Sequence, residues 1–273
     1  MKQRSFSQTD KEAFERDGYV ILRSFFSAEE AALLLRTAQN DEVVKKQTYA
    51  MEDASGKATR LALWYNHGDN IYGAFSKNEP VINALEELLG GPVALYHTKL
   101  MQKEPQVGGA WEWHQDYGYW YKNGFLFPDM LSVMVAITTA NKENGCLQVL
   151  KGSHKMGRID HIISGSQNGA EPERVTAAMK TMELEYVELD PGDALIFHGN
   201  TLHRSDMNNS DYPRWSLISA YNLAGNKPYK DEPEVSYTPV VKLPDAAIYQ
   251  FAAIGVSVSA GFLSKETDKS LKE

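Results

Sequence analysis

The chain has 273 residues, 42% of them hydrophobic and 11% aromatic, enough to bury a full core. Its 28 basic and 36 acidic residues leave a formal charge of −8, which argues against nucleic acid as a general partner. No apolar run reaches membrane-span length, the opening MKQRSFSQTDKE lacks the apolar core of a signal peptide, and Cys146 is the single cysteine. An intrachain disulfide is therefore excluded, and a cytoplasmic, reducing setting is the expectation.

Thr9 with Glu12, and Ser27 with Glu30, have the spacing of capping boxes, so helices are expected to open there, the first stopping at Asp17-Gly18. YVILRSFF between them has strand character, and AEEAALLLRTAQ gathers Ala and Leu on one side. Residues 41–79 yield no clear element beyond a turn at Asn66 to Asp69. EPVINALEELL has Pro80 near its start and Gly90 past its end, the asymmetry of a helix.

From Val93 the pattern alternates with period two. VALYHTKLMQ, WEWHQDYGYW, LSVMVAITTA, CLQVL, YVEL, ALIFH and RWSLISAYNL all read as strands, separated by PQVGG, Asn123-Gly124, NKENG, KGSH and Asp190-Pro191-Gly192-Asp193. In the third of these, Val133, Val135 and Ile137 form one face and Ser132, Met134 and Ala136 the other. Residues 156–185 interrupt the series as a polar excursion with a short helix expected at EPERVTAAMK. Gly165, Asn168 and Gly169 there suit a mobile lid. After Pro228 the chain becomes proline-rich and irregular, and KETDKSLKE is expected to fray. Many short strands wrapped by a few helices predict a mainly β fold with a double-sheet jelly-roll, or double-stranded β-helix, core. The expected organisation is one domain over 1–273, with helical elements at 8–90, the core at about 93–225 and an extension at 226–273.

Two H-x-D pairs occur. His67-Gly68-Asp69 sits in a turn sequence, whereas His114-Gln115-Asp116 lies in an aromatic run suited to a strand, where residues i and i+2 share a face. His203 opens the downstream segment HRSDMNNSDYPR and Arg214 closes it. Two histidines and one carboxylate form the facial triad of non-heme Fe(II) oxygenases, which leaves positions open for substrate oxygen atoms and O2. An arginine shortly after the second histidine offers a rigid fork for a carboxylate. Metal, open positions and anion clamp together describe a 2-oxoglutarate-dependent oxygenase.

The order of blocks resembles the phytanoyl-CoA dioxygenase family of Fe(II)/2-oxoglutarate oxygenases. FERDGYVILRSFFSAEEAALL, WHQDYGYW, NGCLQVLKGSH and LDPGDALIFHGNTLHRSDMNNSDYPRWSLISAYN carry the likeness over roughly residues 10–225. The resemblance implies Fe(II) on His114, Asp116 and His203, with 2-oxoglutarate and O2 as cosubstrates. It implies Arg214 on the distal carboxylate of 2-oxoglutarate, assisted by Ser205 and Ser216. Some members carry an asparagine where Met101 falls, and a tryptophan where Met134 falls, so these two positions depart from the family's cosubstrate contacts. Gln115 also occurs between the ligands in some members. It joins Lys99, Trp113, Tyr117 and Trp120 as a candidate for the substrate pocket, where aromatic faces suit an apolar or cationic ligand and Lys99 suits an anion.

His154 in the KGSH loop reads as structural, and His198, five residues before His203, falls on the opposite strand face. The expected partner is a small-molecule metabolite, hydroxylated with release of succinate and CO2; monomer and homodimer both stay open. A CoA thioester fits the acidic composition poorly. A halogenase of the same family lacks the metal carboxylate, and Asp116 is present. A metal protein without redox chemistry gives no reason for Arg214, and a binding protein that has lost turnover remains the last alternative.

Overall fold

Two antiparallel sheets face each other, and the alternation along each strand decides which side chains enter the space between them. The computed structural model describes residues 4–53, 55–65, 68–164, 167–230, 233–257, 261–265 and 267. His67, Gly165 and residues 268–273 lie outside the described residues.

Helix α1 (Gln8–Asp17) leads into strand β1 (Tyr19–Leu22), followed by α2 (Ala28–Asn40), α3 (Glu42–Gln47), β2 (Tyr49–Glu52), β3 (Ala58–Trp64), α4 (Ile71–Ser76) and α5 (Glu79–Leu89). The core follows as β4 (Val93–Lys103), β5 (Trp111–His114), α6 (Asp116–Lys122), β6 (Met130–Ala136), β7 (Leu147–Leu150), β8 (His161–Ser164), β9 (Gln167–Ala170) and α7 (Pro172–Thr181). It is completed by β10 (Leu184–Val187), β11 (Ala194–His198), β12 (His203–Ser205) and β13 (Arg214–Leu223), with α8 (Ala246–Phe251) and β14 (Phe262–Leu263) after it.

The larger sheet runs β1-β11-β6-β13-β4-β3-β14, with β2 paired to β3; the smaller runs β10-β7-β12-β5. Val133, Val135, Ile137, Ile196 and Leu217 point from the larger sheet into a core with Phe26, Leu34, Phe75 and Leu85 of the helical elements. The opposite parity, Met134, Ala136, Leu195 and Phe197, packs against Leu147, Val149 and Val187 of the smaller sheet. Both faces of the larger sheet are thus covered, so its central strands β4, β6, β11 and β13 are buried along nearly their whole length. The two-face reading of LSVMVAITTA holds.

Four expectations change. Helix α1 is capped by Ser7, not Thr9: the Ser7 Oγ accepts the Asp10 N–H at 3.2 Å and the Asp10 carboxylate accepts the Ser7 N–H at 2.8 Å. The box at Ser27 and Glu30 forms as expected. The aromatic run does not continue as a strand: β5 ends at His114 and α6 begins at Asp116. Its cause is tertiary, because Gly118 lies against the His161 ring so closely that a Cβ would sit 2.0 Å from Cε1, and this helical turn accommodates the approach. Residues 156–185 are not a loose excursion. They form the β8–β9 hairpin and α7, with Gln167 and Asn168 buried and Ile159, Val175 and Ala178 packed against Trp113 and Leu150. The helix expected at EPERVTAAMK is α7. Residues 226–273 include α8, whose Ala247 and Ile248 join the helical core, and β14, which extends the larger sheet. Among the described residues no helix is long and apolar enough to cross a membrane.

Candidate active site

His114 ends β5 and lies directly opposite His203 on β12, with ring centroids 4.0 Å apart. Gln115 keeps extended backbone (φ −115°, ψ 131°), so Asp116 still emerges on the same side although it starts a helix. The His114 Nδ1 hydrogen-bonds to the Glu112 carbonyl at 2.7 Å and the His203 Nδ1 to the Thr201 carbonyl at 2.8 Å. A carbonyl only accepts, so each Nδ1 carries the proton and each Nε2 offers a lone pair. The two Nε2 atoms lie 3.7 and 3.9 Å from Asp116 Oδ1, and the three ligand atoms fall within 4.8 Å of one another.

All three residues are buried. Burial holds the His114 imidazole well below its usual range, with a further push from His203. Burial also lowers His203, against the opposing pull of Asp116. Both rings therefore stay neutral, the state a metal ligand needs. The second carboxylate oxygen of Asp116 accepts a hydrogen bond from Ser132 Oγ at 2.5 Å, which orients Oδ1 toward the histidines.

Arg214 opens β13 opposite Lys103 of β4. Its guanidinium is buried, Nε and Nη1 have no hydrogen-bond partner among the described residues, and burial pushes its pKa down to about 10. Two residues on, the buried Ser216 Oγ is equally unmatched. A fork of donors and a hydroxyl left unmatched in a buried place suit a carboxylate. Ser205 on β12 lies close by, but its Oγ accepts from Lys103 Nζ at 2.9 Å. Lys103 is fully buried and also donates to the Asp206 carbonyl; burial and then Arg214 hold it well below the usual lysine range.

One cavity joins these groups. Lys99, Met101, Met134, Ser205 and Arg214 line it together with His114, Asp116 and His203. Both methionines thus stand beside the carboxylate cradle. Four of the five substrate-pocket candidates do not reach it, and Ser216 is not among its lining residues either. Trp113 packs in the cluster with Leu150, Ile159 and Leu202, beneath the Arg204 guanidinium at 5.6 Å. Tyr117 donates to the Phe125 carbonyl at 3.0 Å, and Trp120 Nε1 donates to His97 Nε2 at 3.3 Å. Both are turned away by the helical course of α6. The fully buried Gln115 donates to the Gly157 and Asn200 carbonyls and accepts the Ile159 N–H, all within 2.8 Å, so it clamps the turn that presents Asp116.

The lining also includes residues not singled out as site candidates: Trp111, Ser132, Leu147, Phe197, Arg204 and Ile218. Strand alternation already places Ser132 beside Met134, and Trp111 lies near His114 on β5. His154 and His198 pack ring against ring at 5.7 Å, and His198 Nδ1 accepts the Asn200 N–H, which makes both structural. Asp69 is exposed and pairs with Lys77 at 3.7 Å.

Two neutral imidazoles and one carboxylate, converging beside a buried, unmatched guanidinium between the sheets of a double-stranded β-helix, define the class of the non-heme iron, 2-oxo-acid-dependent oxygenases. The family described as phytanoyl-CoA dioxygenase (PhyH) matches residues 14–216, and the chain belongs to it. It is 25% identical over 234 residues to the L-proline trans-4-hydroxylase of Streptomyces griseoviridis, covering 80% of this chain and 87% of that one. It is 26% identical over 237 residues to the ectoine dioxygenase of Bordetella parapertussis, covering 81% and 77%. In fold it is similar to the structure of EctD from S. alaskensis with 2-oxoglutarate and 5-hydroxyectoine, with a TM-score of 0.70, 20% identity and 89% of each chain covered.

Proposed function

We propose that this chain is an Fe(II)- and 2-oxoglutarate-dependent hydroxylase of a small polar metabolite, with iron on His114, Asp116 and His203. The observation that carries this is the pairing of two features in one cavity. One is the converging Nε2, Nε2 and Oδ1 set; the other is the buried Arg214 with its unmatched Nε and Nη1. The donor set fits iron, and the guanidinium with Ser216 fits the distal carboxylate of 2-oxoglutarate.

Bound there, iron with 2-oxoglutarate and O2 supplies the oxidative decarboxylation to succinate and CO2 that is coupled to substrate hydroxylation. The chain's own part is placement. Glu112 and Thr201 carbonyls hold both imidazoles with Nε2 forward, and Ser132 holds the Asp116 carboxylate. Met101 and Met134 offer apolar walls for the carbon chain of the 2-oxo acid, and Phe197 and Leu147 exclude water beside them. Ser205 reaches the same carboxylate only while keeping its bond from Lys103. The relatives named for L-proline and ectoine act on small molecules, which supports a substrate of that size here. A chain with one cysteine, and that one buried, suits a cytoplasmic setting.

Anaerobic titration of the protein with Fe(II) and then 2-oxoglutarate tests the reading. One iron and one 2-oxoglutarate per chain are expected, with slow succinate formation once O2 is admitted. Stoichiometric metal binding without any 2-oxoglutarate binding would leave a metal protein without this chemistry.

A further inference from the structure

The cavity carries more positive charge than this chemistry consumes. Its lining holds Lys99, Arg204 and Arg214, against the single carboxylate Asp116. Arg204 pairs with Asp206, so its charge is already matched. On the reading above, which this inference rests on, a divalent metal and Arg214 face Asp116 and a doubly charged 2-oxo acid. Three positive charges then meet three negative ones. The ammonium of Lys99 is left over.

Lys99 makes no ion pair or hydrogen bond among the described residues, and it is half-buried. On β4 it stands between His97 and Met101, which also line the cavity, and its cross-strand neighbour is Ile218 of β13. Arg214 begins the same strand four residues earlier, roughly 14 Å along the sheet at about 3.4 Å per residue. One end of a five-carbon dianion lies on Arg214 and the other on the metal, so that molecule has no need of this second cation. Yet Lys99 lines the same cavity as both histidine ligands, His114 and His203. A cation facing the apolar walls of Met101, Met134, Leu147 and Ile218 is disfavoured unless something of opposite charge joins it.

We propose that Lys99 is the receptor for an oxyanion on the primary substrate, so that the enzyme acts on small anionic metabolites, such as carboxylates or phosphonates, and discriminates against their neutral counterparts. Lys99 fixes the end of the substrate that does not react and leaves the carbon to be hydroxylated facing the open metal positions. The rigid wall of β4 suits this role, since a strand residue between two sheet neighbours holds its position better than a loop residue.

The test uses the protein loaded anaerobically with Fe(II) and saturating 2-oxoglutarate, and calorimetry with acetate and methylphosphonate as minimal oxyanions and acetamide as the neutral control. Acetate or methylphosphonate is expected to bind the wild type and to bind Lys99→Met at least tenfold more weakly, while Lys99→Arg retains binding. Acetamide is expected to bind neither. The 2-oxoglutarate affinity of Lys99→Met should stay within threefold of wild type. A tenfold loss of 2-oxoglutarate affinity in Lys99→Met would assign the lysine to the cosubstrate and overturn the proposal. So would anion binding that is equal in wild type and Lys99→Met, or absent from both. Failure of the wild type to take up 2-oxoglutarate at all is a different result, and counts against the oxygenase reading itself.

Discussion

Replacing Arg214 by methionine should weaken the site and strengthen the fold at once. Arg214 is 4% exposed, and burial lowers its pKa from 12.5 to about 10. At 1.36 kcal/mol per pKa unit, this is a penalty of about 3 kcal/mol on the charged form in the folded protein. The sign follows from the direction of the shift. A base whose folded pKa is depressed destabilises the folded state wherever it is charged, here at every pH below about 10, so the penalty is in force at pH 7. Methionine keeps much of the stem's packing and removes the charge, so the metal-free variant should gain about 1–2 kcal/mol, or roughly 2–6 °C in Tm for a chain of this size. The loss falls on the ligand. Two charge-assisted bonds at about 1.5–3 kcal/mol each predict a roughly 10²- to 10⁴-fold weaker 2-oxoglutarate affinity, and lysine should restore only part of it. Thermal scans of the metal-free protein and anaerobic 2-oxoglutarate titration of the Fe(II) form measure the two effects separately. A variant that melts several degrees lower and keeps 2-oxoglutarate affinity within threefold would refute both the burial argument and the clamp.

Alanine at His114, Asp116 or His203 should each remove most iron binding with the fold retained, whereas Asp69→Ala, at an exposed ion pair, should bind iron normally; metal analysis and circular dichroism decide it. Ser132→Ala removes the hydrogen bond that orients Asp116, and a roughly 10- to 100-fold loss of Fe(II) affinity in a chelator competition is expected. No change would mean that the helix alone holds the carboxylate. His198 is held to a pKa of about 4, by burial first and then His154, so the folded state resists its protonation. The stability it contributes is intact above pH 6.5 and is lost as pH falls toward about 4. Urea unfolding between pH 7 and 4.5 should show that decline, shared with the other buried histidines held low, and His198→Asn should make it shallower by the part that His198 contributes.

Much of the site can be read locally. H-x-D before an aromatic run, a distal histidine and an arginine eleven positions beyond it define the metal face and the clamp through chemistry that each residue carries alone. Period-two alternation already separates Ser132 and Met134 from Val133 and Val135, and puts Lys99 beside His97, because the pleat allows nothing else. Tertiary structure decides the rest. Aromatic residues favour strands, so Trp113, Tyr117 and Trp120 look like alternating wall positions. What breaks the strand at Gln115 is its amide bonded to Gly157, Asn200 and Ile159, and the His161 ring pressed on Gly118. Those partners lie some forty to eighty-five residues away in the chain, beyond any short window. The same holds for residues 156–185, whose polar Gln167 is buried because the Glu112 N–H and the Ala110 and Glu52 carbonyls satisfy it. Spacing tells which residues bear the chemistry. Which of them share a cavity depends on long-range hydrogen bonds, whose energy exceeds the small local preferences that a sequence pattern records.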